Sequence, residues 1–179
     1  MNRPEERGVR SNRAPGGEGE RPLGIFKFEH ADDVASTDTT DDVLVMRVMG
    51  VRGTKKIATL TELVRHGAPL KVISKLEQVY GASQKELSDY LSIPPSTINR
   101  RKQRGEHLSS QETDRAVRYA RLYKLAKDMM QGNDVTTLRW LKSPKKILGG
   151  ETPMERATTE AGVAEVEQLI GRIRHGVFS

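Results

Sequence analysis

The sequence predicts an all-α fold, and three observations carry that expectation. Residues Ser83 to Gly105 spell a helix, a tight break and a second, strongly basic helix. Apolar residues recur at spacings of three and four from Ile57 to Ile173, the period of helices with one buried face. A hydrophobic share of 35% in 179 residues supports a modest core, enough for one domain or two small ones. The organisation expected is a disordered or irregular extension over 1–56, a helix-turn-helix domain over 57–131 and a small helical domain over 132–179.

The first 22 residues are rich in Arg, Glu, Gly and Pro and almost free of aliphatic side chains. They cannot bury enough apolar surface to offset the entropy of ordering, and a mobile tail is expected. Leu23 to Glu29 is a short apolar island, followed by an acidic, threonine-rich run to Asp42. Val43 to Val51 (VLVMRVMGV) is β-branched enough for a strand and could equally be a docking helix. From Ile57 the helical period sets in: Leu60, Leu63 and Val64 share a side, and Gly67 with Pro69 closes that segment. Leu70, Ile73, Leu76 and Val79 then define a second helix ending at Gly81.

The stretch SQKELSDYLSIPPSTINRRKQRG follows. Ser83 suits an N-cap, and Glu86 three residues later completes a capping box. Leu87 and Leu91 share a face until Pro94 forces Ile93 out of helical geometry. Pro95 suits the first position of a new helix, which Gly105 terminates. Leu87, Leu91, Ile93 and Ile98 form the nucleus that sets the interhelical angle, and Ser88 is the small residue at the close approach. This leaves Ser96, Thr97, Asn99 and Arg100 facing outward at the front of the second helix, where a recognition helix meets base edges. Gln84, at the start of the first helix, is a further DNA-binding candidate, and Arg101, Lys102 and Arg104 are expected nearer phosphates. Arg101 falls at a late position where many such motifs place an apolar residue. The plain alternative is a pair of packed helices with a solvated charged face.

The longest helix is expected from Leu108 and Ser109 to about Met130, with Glu112 and Asp114 at its dipole-favoured start. Tyr119, Leu122, Ala126, Met129 and Met130 make its buried stripe, and Arg121, Lys124 and Lys127 read as an ordinary wet face. Arg115 and Arg118, nearer the recognition helix, are the candidates for phosphate contact. Gly132 and Asn133 end this helix, and Asp134 is the expected cap of another carrying Leu138, Trp140 and Leu141. A loop, KSPKKILGGET, then leads to a short turn opened by Pro153 and a final helix capped by Thr159. Val163, Val166, Leu169, Ile170 and Ile173 give that helix its apolar face. Gly162 and Gly171 interrupt it at a cost of about 1 kcal/mol each, which suggests that another backbone comes close.

The net charge of +6 is localised. Residues 1–56, 57–94 and 128–179 hold equal numbers of basic and acidic groups, whereas residues 95–127 hold 9 basic and 3 acidic ones. A basic stripe that begins at the proposed recognition helix is the electrostatic footprint of a phosphate-binding surface. The absence of cysteine removes disulfides and thiolate chemistry and agrees with a reducing cytoplasm. No apolar run spans a bilayer, and the N-terminus lacks a signal-peptide core, so the expected location is cytoplasmic with no membrane partner. His30, His66, His107 and His175 are scattered without metal-ligand spacing, and no catalytic motif appears. The expectation is a binding protein without metal or cofactor. A helix-turn-helix recombinase would need catalytic carboxylates or a supported tyrosine, neither of which is visible.

From Ser83 to the end, 97 of the 179 residues, the chain resembles the Xre, MbcA and ParS antitoxins of bacterial type II toxin-antitoxin systems. The residues that carry the likeness are the helix-turn-helix ending in STINRRKQRGEHLSSQETDRAVRYAR, then Trp140 with Leu141, the double glycine before Thr152 and Pro153, the T-x-x-G run Thr159 to Gly162, and Gly176. The resemblance implies an Xre/Cro-like reading domain followed by a toxin-binding domain. It also implies a partner toxin of the RES type, related to ADP-ribosyltransferases and consuming NAD, whose active-site entrance the antitoxin covers. Homodimers bound to the operon's own promoter are implied as well. On this chain the toxin-binding surface would comprise Trp140, Leu148, Gly149, Gly150, Thr152, Pro153 and the exposed side of the last helix, with Arg172, Arg174, His175 and Phe178 reaching toward the NAD pocket. The alternative is a stand-alone helix-turn-helix regulator with no toxin partner.

Overall fold

The computed structural model describes residues 40–54, 57 and 59–176. The tail and apolar island expected before residue 40, and Phe178, lie outside the described residues. Among the described residues no strand forms, and the elements are α-helices joined by short turns. They run α1 (Thr40–Val48), α2 (Leu60–His66), α3 (Lys71–Tyr80), α4 (Gln84–Leu91), α5 (Pro95–Arg104), α6 (Ser110–Met129), α7 (Asp134–Leu141), a 3-10 turn (Lys146–Leu148), α8 (Pro153–Arg156) and α9 (Glu160–Arg174).

The longest of these, α6, is the axis on which the others pack: α1, α2, α3, α4, α7 and α9 all lie against it. Its sequence explains why. Thr113, Ala116, Val117, Tyr119, Ala120, Leu122, Tyr123 and Ala126 are buried, so apolar or small residues occupy most of its circumference. Met129 and Met130, expected in that stripe, are only half-buried at its C-terminal end. The supposedly wet face is also covered. Lys124 Nζ meets Asp41 Oδ1 of α1 at 2.7 Å and Asp128 Oδ2 at 3.0 Å, while Lys127 Nζ meets Asp134 Oδ1 at 2.7 Å. Arg121 alone of the three stays exposed.

Val43–Val51, open between strand and helix in the sequence, is the last part of α1 and its exit turn. Val45, Met46 and Met49 are buried at a helical spacing, and Asp42 Oδ2 accepts the Leu60 backbone N–H at 3.0 Å, tying α1 to the start of α2. Thr59 and Glu62 form a reciprocal capping box there. In α3 the buried residues are Val72, Ile73, Leu76 and Tyr80, so the face is rotated from the expected one, with Leu70 and Val79 half-buried.

Three tyrosines stitch the core. The Tyr80 ring stands edge-on to Tyr119 and Tyr123, at centroid distances of 6.2 and 5.6 Å. Tyr80 Oη donates to the Tyr119 carbonyl at 2.7 Å, and Tyr119 Oη donates to the Met154 carbonyl at 3.1 Å, linking α3, α6 and α8. Burial pushes both phenols well above their ordinary range, so they remain neutral donors.

Candidate functional site

The helix-turn-helix is α4 and α5. Ser83 caps α4, its Oγ accepting from the Glu86 N–H at 3.2 Å while Glu86 returns to the Ser83 N–H at 2.8 Å. Leu87, Leu91, Ile93 and Ile98 are all buried and form the nucleus between the two helices. Ser88 is 2% exposed, and its hydroxyl donates to the Ile93 carbonyl, so this small polar side chain both permits the approach and ties the turn. Pro95 opens α5 and Gly105 closes it.

On the outward face of α5, Ser96, Asn99, Arg100, Lys102 and Arg104 are exposed, and Thr97 is half-buried beside them. Gln84 Nε2 donates to Asn99 Oδ1 at 3.3 Å, joining the first residue of α4 to the front of α5. Arg104 pairs loosely with Glu106 at 3.6 Å. Arg100 and Lys102 form no ion pair among the described residues. The arrangement is a helix presenting hydroxyl, amide and guanidinium groups in one row with basic groups behind them, the chemistry that reads base edges and holds phosphates.

Three arginines expected at phosphates are engaged within the fold instead. Arg101 turns back onto α6, where its guanidinium pairs with Glu112, and it lies 3.8 Å from Glu106. Its side chain is only 20% exposed, which accounts for an arginine at a position that favours an apolar residue. Burial alone would raise the Glu112 carboxyl, but hydrogen bonds from the Ser109 N–H and Arg101 outweigh it and hold Glu112 below the usual carboxylate range. Arg115 Nη1 donates to the carbonyls of Leu91 at 2.7 Å and Ser92 at 3.2 Å. Arg118 pairs with Glu160, lies 3.5 Å from Asp114, and donates to the Thr158 carbonyl at 3.5 Å, bracing α6 against the start of α9.

The second surface is built by α7 to α9. Asn133, not Asp134, caps α7, with its Oδ1 accepting from the Thr136 N–H at 3.1 Å; Asp134 is the first helical residue and pairs with Lys127. Trp140 is half-buried, with the Lys145 ammonium 5.3 Å from its ring centroid. Burial pushes the Lys145 ammonium below its ordinary value. The loop closes on itself: the Lys145 N–H donates to Glu151 O at 2.9 Å and the Gly150 N–H to Lys145 O at 3.0 Å. Gly149 and Gly150 are exposed in this turn, at φ 71° and 88°.

Two expected contact residues cannot serve by their side chains. Leu148 is 3% exposed and Pro153 is buried, because the 3-10 turn and α8 fold inward onto the core. Their neighbour Ile147 is 52% exposed and takes the outward position, one that the sequence did not single out. Thr152 caps α8, accepting from the Glu155 N–H at 3.1 Å. Arg172, Arg174 and His175 are exposed at the end of α9.

The glycines of α9 differ. A Cβ at Gly162 would sit 1.8 Å from the Arg156 carbonyl oxygen, the close backbone approach expected there, whereas a Cβ at Gly171 would meet nothing within 4 Å. Among the described residues no helix is long and apolar enough to cross a membrane, and no three His, Asp or Glu groups gather as a metal site.

Two family models match the chain. The Antitoxin Xre-like helix-turn-helix domain covers residues 59–121, and the Antitoxin Xre/MbcA/ParS C-terminal toxin-binding domain covers residues 125–176. Among curated proteins, an Antitoxin Xre of Yersinia enterocolitica is 30% identical over 120 residues, 67% of this chain and 81% of the relative. An Antitoxin Xre of Photorhabdus laumondii is 28% identical over the same shares of both chains. A Prs ADP-ribosylating antitoxin of a Sphingobium strain is 23% identical over 125 residues, 65% of this chain and 79% of that one. With a reading pair and a toxin-binding domain on one helical core, the chain belongs to the Xre/MbcA/ParS antitoxin family.

Proposed function

We propose that this chain neutralises a RES-domain toxin that consumes NAD, by covering the entrance to its active site, and that it represses its own operon as a homodimer bound through α4 and α5 in the cytoplasm. The observation that carries the reading is the pairing of two outward faces on one core. One is the row Ser96, Asn99, Arg100 and Lys102, exposed on α5; the other is the surface from Trp140 and Ile147 to the end of α9. The name of the Sphingobium relative, which couples an antitoxin to ADP-ribosylation, supports a toxin that uses NAD.

In this proposal Gln84, Ser96, Thr97, Asn99 and Arg100 meet base edges, and Lys102 and Arg104 meet phosphates. Trp140, Ile147, the Gly149–Gly150 turn, Thr152, Arg172, Arg174 and His175 face the toxin, with Trp140 and Ile147 as apolar anchors inside a polar rim. The chain acts by binding rather than by catalysis. The test is co-expression with the product of the adjacent reading frame, together with a gel-shift on the upstream DNA. Rescue of growth and a salt-sensitive shift are expected. Failure of an intact, folded chain to rescue would leave a stand-alone regulator.

A further inference from the structure

We propose that Arg115 is a positioning residue for DNA reading: from α6 it locks the turn between α4 and α5 and thereby fixes the angle of the recognition helix. The inference rests on the proposed DNA-reading role of α5 and gives this arginine a task that its basic character alone does not suggest.

The turn is an unusual piece of backbone. Ser92 adopts a left-handed conformation, φ 51° and ψ 46°, although it is not glycine. An L residue occupies that region at a cost and persists there where its surroundings determine it. From within the motif, the Ser92 N–H donates to Asp89 O at 3.1 Å, the Ile93 N–H to Ser88 O at 3.0 Å, and the Ser88 hydroxyl to Ile93 O. The carbonyls of Leu91 and Ser92 lie at the C-terminal end of α4, where intrahelical partners run out. One guanidinium nitrogen of Arg115 satisfies both. A cation there also complements the negative end of the helix dipole.

Immediately after this point Pro94 and Pro95 fix the chain direction into α5. Rotation at Ser92 therefore swings α5 as a lever. At about 1.5 Å per residue the helix is roughly 15 Å long, so a swing of about 10° displaces its far end by about 2.5 Å, more than a hydrogen bond tolerates. One turn earlier on α6, Glu112 holds Arg101 on the back of the same helix. The reader is thus held at its hinge and at its rear from one rigid support.

The experiment measures binding of the full chain and its Arg115→Met and Arg115→Lys variants to two duplexes, the DNA upstream of its own gene and a scrambled duplex of equal composition, over a range of salt. Circular dichroism confirms folding, and Lys102→Ala serves as the phosphate-contact control. Arg115→Met is expected to lose roughly tenfold on the upstream duplex, the equivalent of about one base contact, with the scrambled duplex unaffected and the salt slope unchanged. Arg115→Lys, which keeps a charged donor for the two carbonyls, is expected to recover part of the loss. Equal loss on both duplexes with the slope reduced by about one unit would make Arg115 a phosphate contact and overturn the inference. Unchanged discrimination in a folded Arg115→Met variant would also overturn it. Failure of the wild-type chain to prefer the upstream duplex would instead defeat the DNA-reading proposal, and the two failures are distinguished by that wild-type measurement.

Discussion

Replacing either of the two glycines of α9 by alanine tests the packing of the C-terminal half with opposite expected signs. At Gly162 the new Cβ would lie 1.8 Å from the Arg156 carbonyl oxygen and 2.8 Å from its carbon. A carbon and a carbonyl oxygen sit about 3.3 Å apart at closest ordinary contact, so α8 must retreat by about 1.5 Å. That backbone has little room to move, because Met154 and Ala157 are buried and the Met154 carbonyl accepts from Tyr119. Overpacking costs typically about 1–3 kcal/mol, and a backbone obstacle places this case at the upper end. Alanine's better helix propensity offsets about 1 kcal/mol, leaving a net destabilisation of roughly 2 kcal/mol. At Gly171, where nothing lies within 4 Å, only the gain of about 1 kcal/mol remains. At about 2–4 °C per kcal/mol for a chain of this size, Gly162→Ala should lower the melting temperature by roughly 4–8 °C, and Gly171→Ala should raise it by roughly 2–4 °C. Thermal unfolding followed by circular dichroism, with urea midpoints as a second measure, decides the matter. A Gly162→Ala chain that melts at or above wild type would refute the argument from close approach.

Arg100→Ala should weaken specific binding by about 1–3 kcal/mol and relax base preference, whereas Lys102→Ala should weaken all duplexes alike and flatten the salt slope by about one unit; anisotropy titrations separate the two. Glu112 is held below the carboxylate range, so its contribution is complete above its unfolded value of about 4.3 and is lost as pH falls through the lower folded value. Glu112→Gln should therefore show a shallower fall of the urea midpoint below about pH 5 than wild type, and an identical fall in both would refute this. Ile147→Asp, at an exposed position, should keep stability within about 0.5 kcal/mol and weaken toxin binding by more than about 1 kcal/mol, measured by calorimetry with the purified toxin. Deleting everything after Gly149 should unfold the chain rather than release an intact reader, because Val166, Leu169 and Ile170 close the core against α6; loss of the helical signal checks it.

What the sequence disclosed was local. Ser83 with Glu86, Pro95, Gly105 and Thr159 mark helix ends by chemistry contained within one turn, and each stands where its pattern placed it. A helical glycine suggests a close backbone, and that reading holds at Gly162 but fails at Gly171, which nothing approaches within 4 Å. The destinations of long side chains were not legible. Lys124 reads as a wet lysine until Asp41, 83 residues away, arrives beside it. Arg101, Arg115 and Arg118 contribute to a basic stripe by count, but their donors are taken up by Glu112, the α4 carbonyls and Glu160. Adjacent apolar residues are similarly ambiguous: which of Ile147 and Leu148 faces the core is set by a short 3-10 turn with no periodicity to read. Asn133 and Asp134 are both good caps, and the one-residue choice between them depends on where the preceding turn ends.

The match to the helix-turn-helix domain ends at residue 121 and that to the toxin-binding domain begins at residue 125, both within α6, so a single rod belongs to both halves of the molecule. On the proposed function, this ties the fates of the two activities together. A protease that opens the chain anywhere along that rod dismantles repressor and inhibitor in the same event. Promoter release and toxin escape would then rise in step after each cleavage, and no fragment would survive to hold one of them down while the other is set free.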